Sequence, residues 1–464
     1  MKASGKERRT VIDKVGITED TLTGRAGLSL FVKYLAGIGV YSQLERFFGS
    51  LRRNQKGRPI REIFKQLFCF FMDGSSRHLT HFDALAQDEG YAAGIESAPS
   101  SMLSSHAVKR FFQSFSHIRV WLFRRLLQRL FIWRLCLEAP NVVMLGLDTM
   151  VMDNDDAKVR HGVRPTYKKK RGFQPLQLTW GNLIVDAVFR RGDAHSNNGD
   201  TVEHMIRHAV SRIRRWYRAE APIVVRMDSG FFDQKLFEVF EKLGVGYICG
   251  GKLYDPVREY VGGVDLEAWG HYENGRQTWR FLEFADKCKS WRRFRRAFYC
   301  SPLYEDRQMR LPVERPDTVG YTNLRMGGTI ERQLAEAGRT DLLEPESIIA
   351  NYHERGADEL VHRAFKDFGF EQMPFKQFFP NVAFYYVMVT AFFLFETFMR
   401  DVCAPEIGVT AYASTVRRRL IDVAAKVIWT GHKNILKITR ATCERLNFME
   451  LWKRSLAPPP LVPQ

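Results

Sequence analysis

Residues 142–150 read VVMLGLDTM. A β-branched and apolar run from Val142 to Leu147 that breaks off at an aspartate describes a buried strand delivering one charge at its carboxyl end. The pattern recurs at Ile223 to Met227, which runs into Asp228 within RMDSGFF. Between them, Pro175 to Thr179 and Leu183 to Phe189 are strand-like runs separated by the tight-turn pair Gly181 and Asn182, and Thr201 to Arg218 has the period of an amphipathic helix. Past Asp228, a helical pattern over Asp233 to Leu243 leads to another strand, Val245 to Cys249.

The resulting order is β-β-β-α-β-α-β. Three antiparallel strands followed by alternating helices and parallel strands is the element order of the RNase-H-like fold, an α/β architecture that sets acidic residues at strand ends where they can share metal ions. Outward from this core, residues 1–138 are mostly helical, with apolar residues at three and four spacing in Leu28 to Leu35, Ile63 to Met72 and Ile118 to Leu137. Within them SSHAVKRFFQSF (Ser104 to Phe115) offers serines for an N-cap and Lys109 and Arg110 just inside a short helix, which suits a DNA-recognition element or an ordinary solvated helix face equally. The expected organisation is a helical DNA-binding region over 1–138, the first part of the core over 139–251, a glycine- and proline-punctuated β-rich insertion over 252–345, completion of the core over 346–400, and a helical C-terminal region with a proline-rich tail over 401–464.

At 464 residues the chain has room for two to four domains of about 150 residues. With 45% apolar and 26% charged residues it is a folding composition, which excludes a disordered chain. Seventy Lys and Arg against 52 Asp and Glu leave a net charge of +18, which points to a polyanionic partner, nucleic acid first and an acidic membrane surface second. Seven scattered cysteines with no CxxC pair read as reduced thiols of a cytosol, and the charged start, Met1 to Gly16, lacks the apolar core of a secretory signal. Val382 to Phe395 is apolar but shorter than the roughly 20 residues of a membrane span, so it is expected to be a buried core helix.

A third acid joins the two aspartates in NYHERGADELVHRAFKDF, residues 351–368. On a continuous helix at about 100° per residue, Tyr352, Arg355, Glu359 and Lys366 fall within an arc of roughly 60°, while Glu354 and Asp358 fall at about 200° and 240°. That geometry selects Glu359. Carboxylates that converge repel one another unless a cation neutralises them, and hard Mg²⁺ or Mn²⁺, as a pair of ions, suits oxygen donors and an in-line phosphoryl transfer.

The spacing of Tyr352, Arg355, Glu359 and Lys366 resembles the Y-(2)-R-(3)-E-(6)-K signature of a large branch of bacterial insertion-sequence DDE transposases. LGLDTM at Asp148 and RMDSGFF at Asp228 are similar to that branch's first two catalytic blocks, and the interval before Glu359 has room for its β-rich insertion. The resemblance covers residues from about 140 to 440. It implies a cut-and-paste transposase working in the bacterial cytoplasm, at the nucleoid, as a dimer or higher assembly on double-stranded terminal inverted repeats and target DNA. Asp148, Asp228 and Glu359 would then bind metal, and Tyr352, Arg355 and Lys366 would hold the terminal DNA backbone. The alternatives are an inactive or repurposed DNA-binding protein and a metal-dependent nuclease of the same fold.

Two basic stretches are further DNA candidates. Residues 158–171 hold seven Lys or Arg and no acid, with Lys168, Lys169, Lys170 and Arg171 in succession beside the first aspartate strand. KCKSWRRFRR (Lys287 to Arg296) interleaves six cations with Trp291 and Phe294, and Trp291, or else Trp269 or Trp279, is a candidate to stack on a flipped base. Arginines 207, 212, 214, 215 and 218, and likewise Arg417 to Arg419, read as exposed helix faces. Gly246 to Lys252 begins a phosphate-binding loop but has Leu253 where Ser or Thr is required, and His353-Glu354 lacks the second histidine of a zinc motif, so ATP and zinc are not expected.

Overall fold

The computed structural model describes residues 12–51, 57–197, 200–274, 277–303, 317–354 and 356–461. After a helical N-terminal region, α1 (Trp121–Glu138) leads into β1 (Val143–Thr149), β2 (Leu176–Trp180) and β3 (Leu183–Val188). Then come α2 (Thr201–Trp216), β4 (Ile223–Met227), α3 (Gln234–Lys242) and β5 (Gly246–Gly250). The strands lie in the order β3-β2-β1-β4-β5, with β1 to β3 antiparallel and β4 and β5 parallel to β1. This is the expected RNase-H-like topology. β5 is buried along its whole length, as a strand covered on both faces must be, so the stretch that imitates a phosphate-binding loop is ladder instead.

The β-rich insertion is a continuation of this sheet. Strands β6 (Gly270–Asn274), β7 (Gln277–Asp286), β8 (Arg295–Leu303) and β9 (Thr318–Thr322) run antiparallel, and β9 pairs with β5 through Tyr321 and Cys249, which makes nine strands in one sheet. Ladder bonds on both sides leave β5 no free edge.

Three helices complete the core: α4 (Pro345–His353), α5 (Gly356–Phe368) and α6 (Phe378–Phe398). The single signature helix expected over residues 352–366 is therefore two helices, with Glu354 as the C-cap of the first and Gly356 opening the second. Glycine is about 1 kcal/mol poorer than alanine inside a helix, which makes this the weakest point of the run. α6 is apolar on all sides, the mark of a helix enclosed by protein or lipid. Here it is enclosed by protein: the stretch Phe378–Cys403 is long and apolar enough to cross a membrane, but 89% of its most apolar window is buried. Phe384 meets Phe71 at 5.3 Å and Phe112 at 5.5 Å, and Tyr386 stacks on Phe123 at 5.7 Å, so N-terminal region and catalytic sheet share one core.

The C-terminal region departs from its helical expectation. Ala425–Thr430 and Lys433–Ile438 form a hairpin whose first strand pairs with Thr21–Thr23, closing a three-stranded sheet from the two ends of the chain. Its turn, Gly431-His432, has φ of +55° and +60°, the two positive values that a two-residue hairpin turn of matching twist requires. Arg417 is likewise not on an exposed face. Its guanidinium donates to the carbonyls of Phe71, Met72, Asp367 and Phe368 and so closes the last turns of two helices.

Candidate active site

Leu147 stands opposite Met227 in the parallel pair β1/β4, so Asp148 and the residue just past Met227, Asp228, emerge side by side at the carboxyl ends of neighbouring strands. The chain leaves β1 toward β2 and β3 on one side and returns through β4 on the other, so the two aspartates flank the switch point where α/β sheets open a crevice. Backbone amides orient both: Thr149 N–H donates to Asp148 Oδ1 at 2.6 Å and Gly230 N–H to Asp228 Oδ1 at 2.9 Å. The segment after β3 wedges between the strand ends. Ser196 Oγ is 3.5 Å from Thr149 Oγ1, and Arg190 fixes the segment by donating to the carbonyls of Gln174 and Ser196.

Helix α5 supplies Glu359, exposed, and one turn later His362, whose Nδ1 lies 3.8 Å from Asp148 Oδ2. Burial, then the charges of Lys366 and Lys168, lower the His362 pKa to about 4, so at neutral pH the imidazole carries no charge. Tyr167, whose side chain is largely exposed, lies within electrostatic reach of all three acids. Its phenol is raised above the usual value first by burial and then by the negative charges of Asp148, Asp228 and Glu359. Glu354, the rival third acid, reaches instead toward Arg226 at 3.6 Å.

The basic run is a small sheet of its own, in which Arg164–Pro165 and Arg171–Phe173 form a hairpin paired with Met152–Asp153. Its tip, Thr166 to Lys170, carries Tyr167 and Lys168 to the acids, with Lys168 Nζ 5.7 Å from the Tyr167 ring centre. Lys169 adopts φ +58° in the turn, Lys170 pairs with Asp153 and Asp155 at 3.3 and 3.5 Å, and the Arg171 amide donates to Asp155. Lys366 pairs with Glu371 at 2.7 Å. Tyr352, on α4, reaches the second aspartate from the other side: a Cβ placed on Gly250 would stand 2.8 Å from its hydroxyl and 3.0 Å from the Ser229 amide. Arg355 lies outside the described residues.

Trp291 is a correction. It is 6% exposed, packed among Phe232, Phe237 and Tyr321 with the Arg295 guanidinium 4.8 Å from its ring centre, so no face is open to a base. Trp269 and Trp279 are buried as well, because all three sit where the extended sheet needs apolar cover. Tyr167 and His362 are the residues that sequence reading missed. Their signals were an aromatic inside a basic run and a histidine one helical turn after Glu359.

The chemistry of the donors suits a hard divalent cation, since Asp148, Asp228 and Glu359 all offer carboxylate oxygens. Among the described residues, no three acidic, histidine or cysteine side chains stand close enough to hold one ion as placed.

Residues 6–456 match the family model of the transposase DDE domain group 1. No curated protein matches the chain significantly in sequence. Among solved structures, the piggyBac transposase of a synaptic complex with hairpin DNA aligns over 87% of this chain and 83% of its own, at 9% identity and a TM-score of 0.39. With nearly its whole length matched, this chain belongs to the group 1 DDE transposase family, and the enzyme is a DDE-type transposase.

Proposed function

We propose that the protein binds the terminal inverted repeats of an insertion sequence and carries out metal-dependent strand cleavage and strand transfer, cut-and-paste transposition, as a dimer or higher assembly on DNA. The observation that supports this most is the emergence of Asp148 and Asp228 side by side at the carboxyl ends of β1 and β4, with α5 packed beside them through His362, 3.8 Å from Asp148. In this reading the three carboxylates hold Mg²⁺ or Mn²⁺, two ions per site, which when bound neutralise phosphoryl charge and sharpen an attacking hydroxyl. Asp148 and Asp228 keep fixed orientations through their backbone donors, so their oxygens need little reorganisation. Uncharged His362 holds the flank of Asp148 without competing as a cation. Tyr352, Arg355, Lys366 and the hairpin cations Lys168, Lys169, Lys170 and Arg171 bind DNA phosphates and align the scissile bond, a positioning task that charge-assisted donors suit.

The test is a labelled duplex carrying the element's ends, incubated with Mg²⁺, Mn²⁺ or EDTA. Wild type should cleave and join only with metal, and Glu359→Gln should lower the rate by about 10³-fold while still binding the ends. Binding without cleavage in any metal would replace this reading with a DNA-binding protein that has lost its chemistry, and cleavage without joining would replace it with a nuclease.

A further inference from the structure

A second feature begins at the same end of the sheet as the acids. Val188, the last residue of β3, is in register with Leu176, and Leu176 with Thr149, so the chain leaves β3 two strands from Asp148. It passes Ser196 and enters α2 at Thr201. Along α2, His204, His208, Ser211, Arg212 and Arg215 recur at three to four residues and share one stripe. With Trp121 and Arg124 of α1 they line a cleft of about 1000 Å³.

The charges in and beside this cleft do not balance. Arg124 is neutralised by Asp186 at 2.5 Å and Arg207 by Glu203 at 2.7 Å. Among the described residues, no carboxylate lies within ion-pair distance of Arg125, Arg212 or Arg215. The Arg212 side chain donates to His208 Nε2 at 3.2 Å, and its pKa is lowered by burial and then by the charges of Arg125 and Arg215. Asp200, exposed at one end, is the acid that lines the cleft. A tryptophan stands in each helix's share of the lining, with Arg124 4.9 Å from the Trp121 ring centre and Arg215 4.9 Å from that of Trp216.

A cluster of guanidiniums, one half-buried and two exposed, with no carboxylate paired to them is stabilised by a polyanion. From His204 to Arg215 the stripe is about 16 Å long at 1.5 Å per residue, long enough to run beside successive phosphates of one strand. We propose that this cleft is a second DNA track, which takes the sugar-phosphate backbone of duplex DNA leaving the acidic site, through Arg212 and Arg215 of its lining and Arg125 beside it. It rests on the reading that DNA is the substrate. Phosphates supply the affinity and the tryptophan edges pack against sugars, so the track is indifferent to sequence.

The full chain is titrated with a fluorescein-labelled duplex of arbitrary sequence across a range of salt concentrations, with circular dichroism melting as the check on folding. Replacing Arg125, Arg212 and Arg215 together by Ala should reduce the slope of log K against log salt by about 2.7, from roughly 0.9 per phosphate, and the triple Lys variant should restore it. Should the triple Ala variant fail to fold, the exposed positions answer singly: Arg125→Glu and Arg215→Glu should each lower the slope by about one. An unchanged slope in a folded variant, or a Lys variant that restores nothing, overturns the track. So does inorganic phosphate competing as well as duplex does at equal ionic strength, which would mark a site for lone anions. A wild type that cleaves its ends while the variants keep the full slope refutes the track alone; a wild type that binds no duplex refutes the substrate reading beneath it.

Discussion

Gly250 stands against Asp228 with no room for a side chain. A methyl there would press on the Tyr352 hydroxyl at 2.8 Å and the Ser229 amide at 3.0 Å, and the amide cannot swing away as a side chain can. Gly250→Ala should therefore cost about 1–3 kcal/mol of stability and lower cleavage by more than about tenfold, measured as melting temperature and rate on the same preparation. Trp291→Ala should behave in the opposite proportion. As a core ring it should cost about 3–5 kcal/mol, with end cleavage per folded molecule little changed below the melting transition. Asp148 and Asp228 were legible in the sequence because each ends an apolar run, a purely local signal. Tyr167 and His362 were not, because what makes them matter is the charge they meet across the fold.

At the scale of elements, the five core strands were legible from period and turn residues. The break between α4 and α5 was marked by Gly356, but a continuous arc of side chains argued against it, and helical projection cannot detect its own interruption. The C-terminal hairpin was hidden by its short strands and by a Gly-His turn less distinctive than Asn-Gly. Helix α6 carries a measurable consequence of being enclosed. Burial raises the Glu396 pKa to about 8, against the lowering influence of Arg400 and an Asn182 hydrogen bond. The folded chain then keeps a proton that the unfolded chain surrenders near 4.5, so stability is greatest below that pH and falls as pH rises toward 8, by about 4 kcal/mol from this group. Thermal melts across that range should show the decline, and Glu396→Gln should flatten it and melt higher than wild type at pH 8.

At the scale of the molecule, the regions drawn from the sequence do not correspond to separate cores. Aromatic contacts of α6 with Phe71, Phe112 and Phe123 join the N-terminal helices to the catalytic sheet, and the insertion strands extend that sheet. Composition changes mark such regions only where contacts between them are few. Arg417 shows how closely they are tied, since its one guanidinium donates to four carbonyls on two helices far apart in sequence. Arg417→Ala leaves those carbonyls buried and unpaired and should cost about 3 kcal/mol. Hydrogen exchange should show the loss of protection in the helix that ends at Asp73 and in α5 alike, and an effect confined to one of them would contradict the role.

The strand Thr21–Thr23 completes its sheet with Ala425–Thr430, close to the far end of the chain. During synthesis at about 5–20 residues per second, the first partner therefore waits on the order of 20 to 80 seconds for the second. For that interval the nascent N-terminal region holds an unpaired strand and apolar helices, a client for chaperones, and a polypeptide released early by a premature stop never closes this sheet.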